Sequence, residues 1–432
     1  MSADDPMPAV AEDVPLAGTE DAPLADADDA ALAVAEPALP RLRLKRGEDR
    51  RLRAGHLWVY SNEVDIAATP LTAFAPGAHA RVEDWRDQFL GYAYVNPHAL
   101  ICARLLSRSP VQLPDRSLLV HRLKVALALR ERHFAVPYYR WVFGEGDGLP
   151  GLVLDRFGEV IVGQIATAGM EALRGEIEAA VDNVLAPQAL VWKNDGGARD
   201  LEQLPRQVIT GLGKSPEELQ VIEGVLQYRV PFTATQKTGW FYDQSANREL
   251  FRRLLWPGVR VLDLCSYGGA WAITALRCGA REALCVDSSE AALAAAAANA
   301  AANGVVVRTR RGDAFETLEE LQREGERFDV VVLDPPAFIK RRKDQARGEA
   351  AYRKLNQLAL RLLERDALLV SCSCSFHLTG DDLARLIQAA ARHNSRFVQV
   401  LAVGGQSPDH PMHPAIPETR YLKAYFCRVT RA

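Results

Sequence analysis

The sequence predicts an α/β protein. A mostly parallel seven-stranded sheet with helices on both faces fills its C-terminal half, behind a small β barrel and an α+β insert. Three observations lead there. From Arg260 onward short apolar runs alternate with helical stretches, as strand-helix-strand units require. Four of those runs carry or deliver an aspartate at the edge where such a sheet binds ligands: Asp263, Asp287, Asp313 and Asp334. Between Arg41 and Ser107 the pattern differs, with short alternating runs separated by turn residues.

Positions 1–40 hold ten acidic groups and no Lys, Arg or aromatic residue. Such a segment cannot bury enough apolar surface to offset chain entropy, so a disordered acidic tail is expected. It lacks the basic start and apolar core of a secretory signal, and no run in the chain reaches the apolar length of a membrane span. A cytoplasmic protein is the expectation. The whole chain carries 52 Lys and Arg against 55 Asp and Glu; without the ten acids of the tail the balance is 52 to 45, or about +7. A moderately basic body is compatible with a nucleic-acid partner. Seven cysteines at irregular spacing make neither a disulfide framework nor a zinc ligand set, so no metal is expected.

In the first folded segment Arg41, Arg43, Lys45, Arg46, Arg50, Arg51 and Arg53 precede Trp58 and Tyr60. Cations beside rings suit the phosphates and unpaired bases of RNA. A core Trp58 rimmed by solvated arginines fits the same residues equally well. The layout resembles a PUA domain, which implies an RNA-binding barrel. Residues 114–133 follow as a helix with Leu118, Leu119, Leu123 and Leu127 on one side. Residues 139–165 read as strands broken by the turn Gly144-Glu-Gly-Asp-Gly-Leu-Pro-Gly151, which lacks the spaced ligands of a calcium loop. A helix over 169–185 and a strand over 189–194 complete the insert.

In the C-terminal half, residues 261–264 read as a strand, 266–269 as a tight turn and 270–278 as a helix. Gly268 and Gly269 allow close backbone approach to a ligand, and Asp287 can accept from both hydroxyls of a ribose. The turn is neither Gly-x-Gly-x-x-Gly nor a phosphate loop. A third strand over 305–309 leads to Gly312-Asp313, and a fourth over 328–333 to Asp334-Pro335-Pro336. This array resembles the class I methyltransferases. The resemblance implies a Rossmann-like domain binding S-adenosylmethionine through Asp263, Ser266, Gly268, Asp287 and Asp313. The Ala-rich helix over 291–302, closed by Asn299 or Asn303 with Gly304, shows no chemistry.

Lys237-Thr-Gly and Asp243-Gln244 stand just ahead of a helix over 247–255, for which Asp243 or Ser245 is the candidate N-cap. Together with Gly146-Asp-Gly-Leu-Pro-Gly-Leu-Val-Leu-Asp-Arg-Phe-Gly158 they resemble the large-subunit ribosomal RNA cytosine-5 methyltransferases that carry a PUA domain in front. The similarity spans roughly residues 41–432. It adds Asp243 and Gln244 to the cofactor set and implies ribosomal RNA as partner; a homo-oligomer is compatible with it.

A fifth strand over 367–376 holds Cys372 and Cys374, two apart and so on one side, with Cys374 nearer the ligand edge. Carbon 5 of cytosine is a poor nucleophile, and a thiolate adding to carbon 6 would make it an enamine. The resemblance and the strand-end position agree on Cys374 as nucleophile, with Asp334 holding the base through N3 and N4. Ala337, between Pro336 and Phe338, favours a carbon target over an amino nitrogen. Cys372 is structural or catalytic, and the group removing the carbon 5 proton stays open. Lys340-Arg-Arg-Lys343 reads as a solvated loop or a phosphate contact. A helix over 381–393 and strands over 397–402 and 421–429 finish the sheet with an antiparallel edge; His410 and His413 read as loop packing. The expected domains are a tail at 1–40, a barrel at 41–110, an insert at 111–228 and a methyltransferase domain at 229–432. Two rivals remain: an N-methyltransferase acting on an RNA purine, and a non-catalytic RNA-binding assembly factor.

Overall fold

A computed structural model of the chain describes residues 39–232 and 237–432. The expected acidic tail, up to residue 38, and Gln236 beside the Lys237 motif lie outside the described residues.

The first sheet has five strands in the spatial order Arg41–Arg43, Ala78–Glu83, Phe89–Val95, Ile101–Ser107 and Trp58–Tyr60. A bridge from Leu44 to Val64 joins its two edges, so the sheet curls around Leu42, Val59, Val82, Ala93 and Leu105. The insert is a second five-stranded sheet, ordered Gln207–Gly213, Ala189–Asn194, Val160–Ile165, Leu152–Phe157 and Tyr138–Phe143, covered by the helices Arg116–His133 and Arg174–Leu185. The helix expected over 169–185 is broken at Leu173, whose backbone (φ −87°, ψ 2°) ends Ala168–Ala172 and starts Arg174–Leu185. The break lets each piece pack differently. Gly169 lies so close to the Tyr94 ring of the barrel that a Cβ there would sit 1.9 Å from it, while Ile177, Ala180 and Val181 face the insert core.

Gly146 has the same logic: an added Cβ would meet the Pro411 carbonyl oxygen at 2.0 Å. The 144–151 turn is therefore a packing surface for the loop that carries His410. Its Asp147 pairs with buried Arg130 at 2.5 Å, and Glu145 accepts from Trp58 Nε1 at 2.9 Å. That bond fixes the orientation of Trp58. Its indole is half-buried at the junction of barrel and insert, and several of the neighbouring arginines pair with barrel carboxylates, Arg41 with Glu83 and Arg53 with Asp84 among them.

The C-terminal sheet comprises β1 (Arg260–Leu264), β2 (Glu282–Asp287), β3 (Arg308–Arg311), β4 (Phe328–Leu333), β5 (Leu363–Ser373), β6 (Arg396–Gly405) and β7 (Lys423–Arg431). Their spatial order is β3-β2-β1-β4-β5-β7-β6. All neighbours run parallel except β7, which is antiparallel to both β5 and β6. Side-chain alternation divides the core in two: Val261 points to the helices Ser245–Leu254, Ala270–Arg277 and Glu290–Ala302, whereas Leu262 and Leu264 point to Ala314–Arg323, Gln345–Leu362 and Gly380–His393. Strand order reverses between β1 and β4, and ligands bind at such a switch point.

One expectation shifts here. β3 starts later than the apolar triplet 305–307 suggested: pairing begins with Arg308 opposite Leu284, and Val306 is 85% exposed. Only Val307 of that triplet is buried, so the run is a lead-in to an edge strand. The hairpin Glu218–Glu223 and Leu226–Pro231 spans residue 228, and Leu219, Val221, Tyr228 and Val230 share one core with Trp240, Trp271 and Val261 and with Phe157, Val162 and Val191 of the insert. Among the described residues no helix is long and apolar enough to cross a membrane.

Candidate active site

The turn after β1 is held by backbone geometry. Cys265, Tyr267 and Gly269 all have positive φ (61°, 48° and 78°), a conformation that costs energy for the two non-glycine residues and so marks a constrained site. Ser266 N–H donates to the Val286 carbonyl (3.1 Å), and Gly269 N–H to the Ser266 carbonyl (2.9 Å), tying the turn to β2 and to itself. Gly268 is buried under Trp240, 3.2 Å from where a Cβ would stand. Its carbonyl accepts from Asn299 Nδ2 at 3.2 Å. The sole polar side chain in the interior of an alanine-rich helix thus supports this turn, a role the alanine pattern concealed.

The aspartates on this side differ in how they are used. Asp287 accepts Tyr267 N–H at 3.0 Å on one oxygen and Ser289 N–H at 2.9 Å on the other, leaving a second lone pair on each for a ligand hydroxyl. Asp263 is fully buried, and its Oδ2 accepts Ala272 N–H at 3.1 Å in the first turn of the following helix. Its Oδ1 is a buried acceptor with no hydrogen-bond partner among the described residues. Burial, reinforced by the charges of Asp334 and Asp287, pushes its carboxyl up to about 8. Asp313 is exposed at the rim and caps Ala314–Arg323 through bonds from Phe315 N–H (2.8 Å) and Glu316 N–H (3.3 Å). An orphaned buried acceptor, a small-residue turn and a carboxylate with spare lone pairs fit a ligand carrying an amino group and a ribose.

On the other side of the switch point, β4 ends in Asp334. Gln244 Nε2 donates to its Oδ1 at 2.9 Å and Trp271 Nε1 to its Oδ2 at 3.2 Å. Asn247 Nδ2 fixes Gln244 in turn by donating to its Oε1 at 2.6 Å. Burial lifts the Asp334 carboxyl to about 6, against the two hydrogen bonds that lower it. β5 stops at Ser373. The hydroxyls of Ser373 and Ser375 both lie 3.0 Å from Tyr352 Oη, in the helix below, and Ser375 Oγ accepts Ile339 N–H at 3.1 Å. Because both serines are held on that face, the residue between them faces the other way. Cys374 is half-buried with its thiol 4.0 Å from the Pro335 carbonyl oxygen, directly beside the Asp334 loop. Burial pushes the Cys374 thiol up; Lys237 acts in the opposite direction.

Cys372 lies one pleat deeper, buried among Val370, Ala424 and Phe426. Its thiol is pushed well above the ordinary range by burial. Asp243 and Gln244 stand on this side, Gln244 against Asp334 and Asp243 against Tyr421. Asp243 accepts Tyr421 Oη–H at 2.5 Å, and its carbonyl accepts Ser407 N–H at 3.0 Å. Burial works against its charge, but His410, Lys237 and the Tyr421 bond outweigh this and hold the carboxyl below its usual range. The expected N-caps, Asp243 and Ser245, do not cap the helix. The N-cap is Gln244, which makes no side-chain cap bond, because all three side chains are engaged in tertiary contacts, Ser245 Oγ with Ser407 Oγ at 2.9 Å.

Trp271, Tyr421 and Lys423 carried no site signal in the sequence. Lys423, in β7, donates through Nζ to the Ser375 carbonyl at 2.5 Å and to the Tyr421 carbonyl at 2.8 Å, and burial lowers its pKa to about 8. Only the position of Trp271, two residues after the Gly-Gly pair, could have pointed to it. His410 is buried, bonded through Nδ1 to Asp409 Oδ1 (2.8 Å) and packed on Phe143.

Comparison with known proteins agrees with this architecture. Residues 42–108 match the PUA-like domain family, and residues 244–371 match a family described as conserved hypothetical protein 95. SMU.776, described as a methyltransferase and crystallised with SAH, superposes with a TM-score of 0.77 over 90% of this chain and all of its own, at 20% identity, which speaks for the fold alone. Ribosomal RNA large subunit methyltransferase I of Erwinia tasmaniensis is 33% identical over 399 residues, covering 90% of this chain and 99% of that protein. The protein of the same name from Salmonella arizonae is 31% identical over 401 residues, covering 91% and 98%. Identity at that level, sustained through the barrel, the insert and the sheet, places this chain in the ribosomal RNA large subunit methyltransferase I family.

Proposed function

We propose that the protein methylates carbon 5 of a cytosine in 23S-type ribosomal RNA with S-adenosylmethionine, through a covalent bond between Cys374 and carbon 6. The single observation that carries this reading is the juxtaposition of a thiol and a carboxyl with a raised pKa on adjacent loops, Cys374 against Pro335 and Asp334 before it. Family membership supports the RNA substrate. The basic body and PUA-like barrel are consistent with it.

Asp263, Ser266, Gly268, Asp287 and Asp313 hold the cofactor, with Gln244 and Asp243 closing the site toward the target base. When bound, S-adenosylmethionine supplies an electrophilic methyl group on a sulfonium. Cys374, as thiolate, adds to carbon 6 of a flipped cytosine, forming the S–C6 bond while the C5=C6 electron pair shifts to C4–C5 and the C4=N3 pair moves onto N3. Asp334, raised to about 6, carries a proton in part of the population near neutrality. That proton can go to ring N3 while the other oxygen accepts from the N4 amino group, which an ionised carboxylate could not do. Carbon 5 then forms its bond to the methyl group as the sulfonium–methyl bond breaks, carbon 5 loses its proton to a base, and the S–C6 bond breaks while N3 returns its proton to Asp334, restoring the ring and freeing Cys374. Lys237 favours the thiolate at both ends of this cycle. Cys372, deep in the core, is a packing residue. We also propose that the domains divide near residue 110 and just before the hairpin Glu218–Glu223, earlier than 228.

The test is nucleoside mass spectrometry on unmodified large-subunit RNA incubated with methyl-labelled S-adenosylmethionine, wild type beside Cys374→Ala. Label in 5-methylcytidine that is lost in the variant is the expected result. Label in another nucleoside that survives the substitution would overturn the cysteine mechanism.

A further inference from the structure

Beyond the catalytic groups, the loop after Pro336 forms one wall of a groove of about 720 Å³, and the insert segment Gly197–Glu202 forms the other. That size falls within the roughly 300–1,000 Å³ of ligand sites. The walls differ in chemistry. On the catalytic side stand Lys340, Arg341 and Arg347, all exposed. Arg341 reaches Asp344 at 3.4 Å, while Lys340 and Arg347 have no ion-pair partner among the described residues. On the insert side stand Ala198 and Leu201, the latter 78% exposed. A leucine held open to solvent opposite uncompensated cations suits a ligand that is anionic along one edge and flat and apolar along the other. A nucleotide in a single strand has this form, its phosphate toward the cations and its base toward Leu201 and Phe338.

The groove is also mechanically tied to the thiol. Ile339 N–H donates to Ser375 Oγ, next to Cys374, and the Phe338 ring packs 4.7 Å from Tyr352, which holds Ser373 and Ser375. A chain seated there lies one loop away from Cys374. A purely solvated basic loop would have no reason to face an apolar wall contributed by another domain.

We propose that this groove binds the single-stranded RNA next to the target nucleotide, Lys340 and Arg347 contacting its phosphates and Leu201 an unpaired base. The inference rests on the RNA-substrate reading above but not on carbon 5 as the target. It is tested on the full chain with an in vitro transcript of large-subunit ribosomal RNA, by measuring affinity across a salt series. The variants are Lys340→Ala/Arg347→Ala and, separately, Leu201→Asp. Loss of two phosphate contacts should flatten the log-affinity against log-salt slope by about 1.4 and weaken binding about tenfold. Leu201→Asp should weaken binding several-fold without flattening the slope. Unchanged S-adenosylmethionine affinity and melting temperature serve as the folding control. Both variants binding RNA within twofold of wild type, with the same slope, would overturn the groove, and binding of an acidic protein there instead would give that outcome. If the variants lose RNA while wild type transfers no methyl group to it, the proposed reaction falls and the groove stands.

Discussion

The two halves of the ligand edge are built differently. At the ends of β1, β2 and β3 the carboxylates are fixed by backbone N–H groups: Asp287 by those of Ser289 and of Tyr267 in the β1 turn, Asp313 by those of the helix it caps, Asp263 by that of Ala272. At the ends of β4 and β5 they are fixed by side chains from distant segments. Gln244, 90 residues away, and Trp271, 63 away, hold Asp334, and Lys423 reaches across from β7 to the Cys374 loop. A half built from backbone turns makes a preformed cradle for a ligand common to many enzymes. A half built from long-range side chains can be retuned for one substrate.

The sharpest way to separate the halves is Cys374→Ala, which should lower methyl transfer by about a thousand-fold or more while leaving S-adenosylmethionine affinity unchanged, measured by single-turnover transfer and equilibrium dialysis. Loss of cofactor affinity as well would mean the halves are one structural unit.

Next comes Asp263→Asn. The folded carboxyl titrates near 8 against an ordinary value of 3.8, so between those values the unfolded chain is ionised and the folded one keeps its proton. Stability is therefore fully present below the lower value and falls as pH rises toward 8. Asn removes that dependence, on the order of a few kcal/mol across the window, read by urea unfolding at pH 5 and pH 8. A pH profile identical to wild type would contradict the burial argument.

Asp287→Ala should weaken S-adenosylmethionine binding about 10- to 100-fold by removing charge-assisted acceptors, with RNA affinity untouched in a filter-binding assay. Gln244→Ala tests the long-range half. Removing a donor that favours the ionised form raises the Asp334 carboxyl above about 6, so the alkaline limb of kcat/KM governed by its proton should move up, with a loss of roughly tenfold in rate from the loosened side chain. An unmoved limb would detach Asp334 from proton transfer. The smallest effect belongs to Lys237→Met. Lys237 pulls the Cys374 thiol down, so its removal should slow iodoacetamide alkylation of that peptide a few-fold at pH 8 by mass spectrometry.

These differences also mark what could be read in advance. The aspartates and the glycine turn were legible because each sits in a local strand-turn-helix pattern whose period and turn chemistry are written within about ten residues. The position of Cys374 at the strand end was legible because pleat alternation and strand direction are local as well. Trp271, Tyr421 and Lys423 were not, since nothing near them in the chain says which strand end they approach. The helix N-cap was misread for the same reason: Asp243 and Ser245 have good capping chemistry, but stronger tertiary partners in Tyr421 and Ser407 took them. Apolar pattern alone also placed β3 too early, because an edge strand need bury only part of its run.

By itself, then, the sequence determined the order of layers, the parallel sheet with its antiparallel edge and the residue types at the strand ends, all consequences of short-range periodicity and steric preference. Only the tertiary structure decided which carboxyl keeps a proton, which distant side chains hold Asp334 and how the insert and the loop after Pro336 together form a groove. Burial and long-range hydrogen bonds set those properties, and they exist only once segments far apart in the chain are packed against one another.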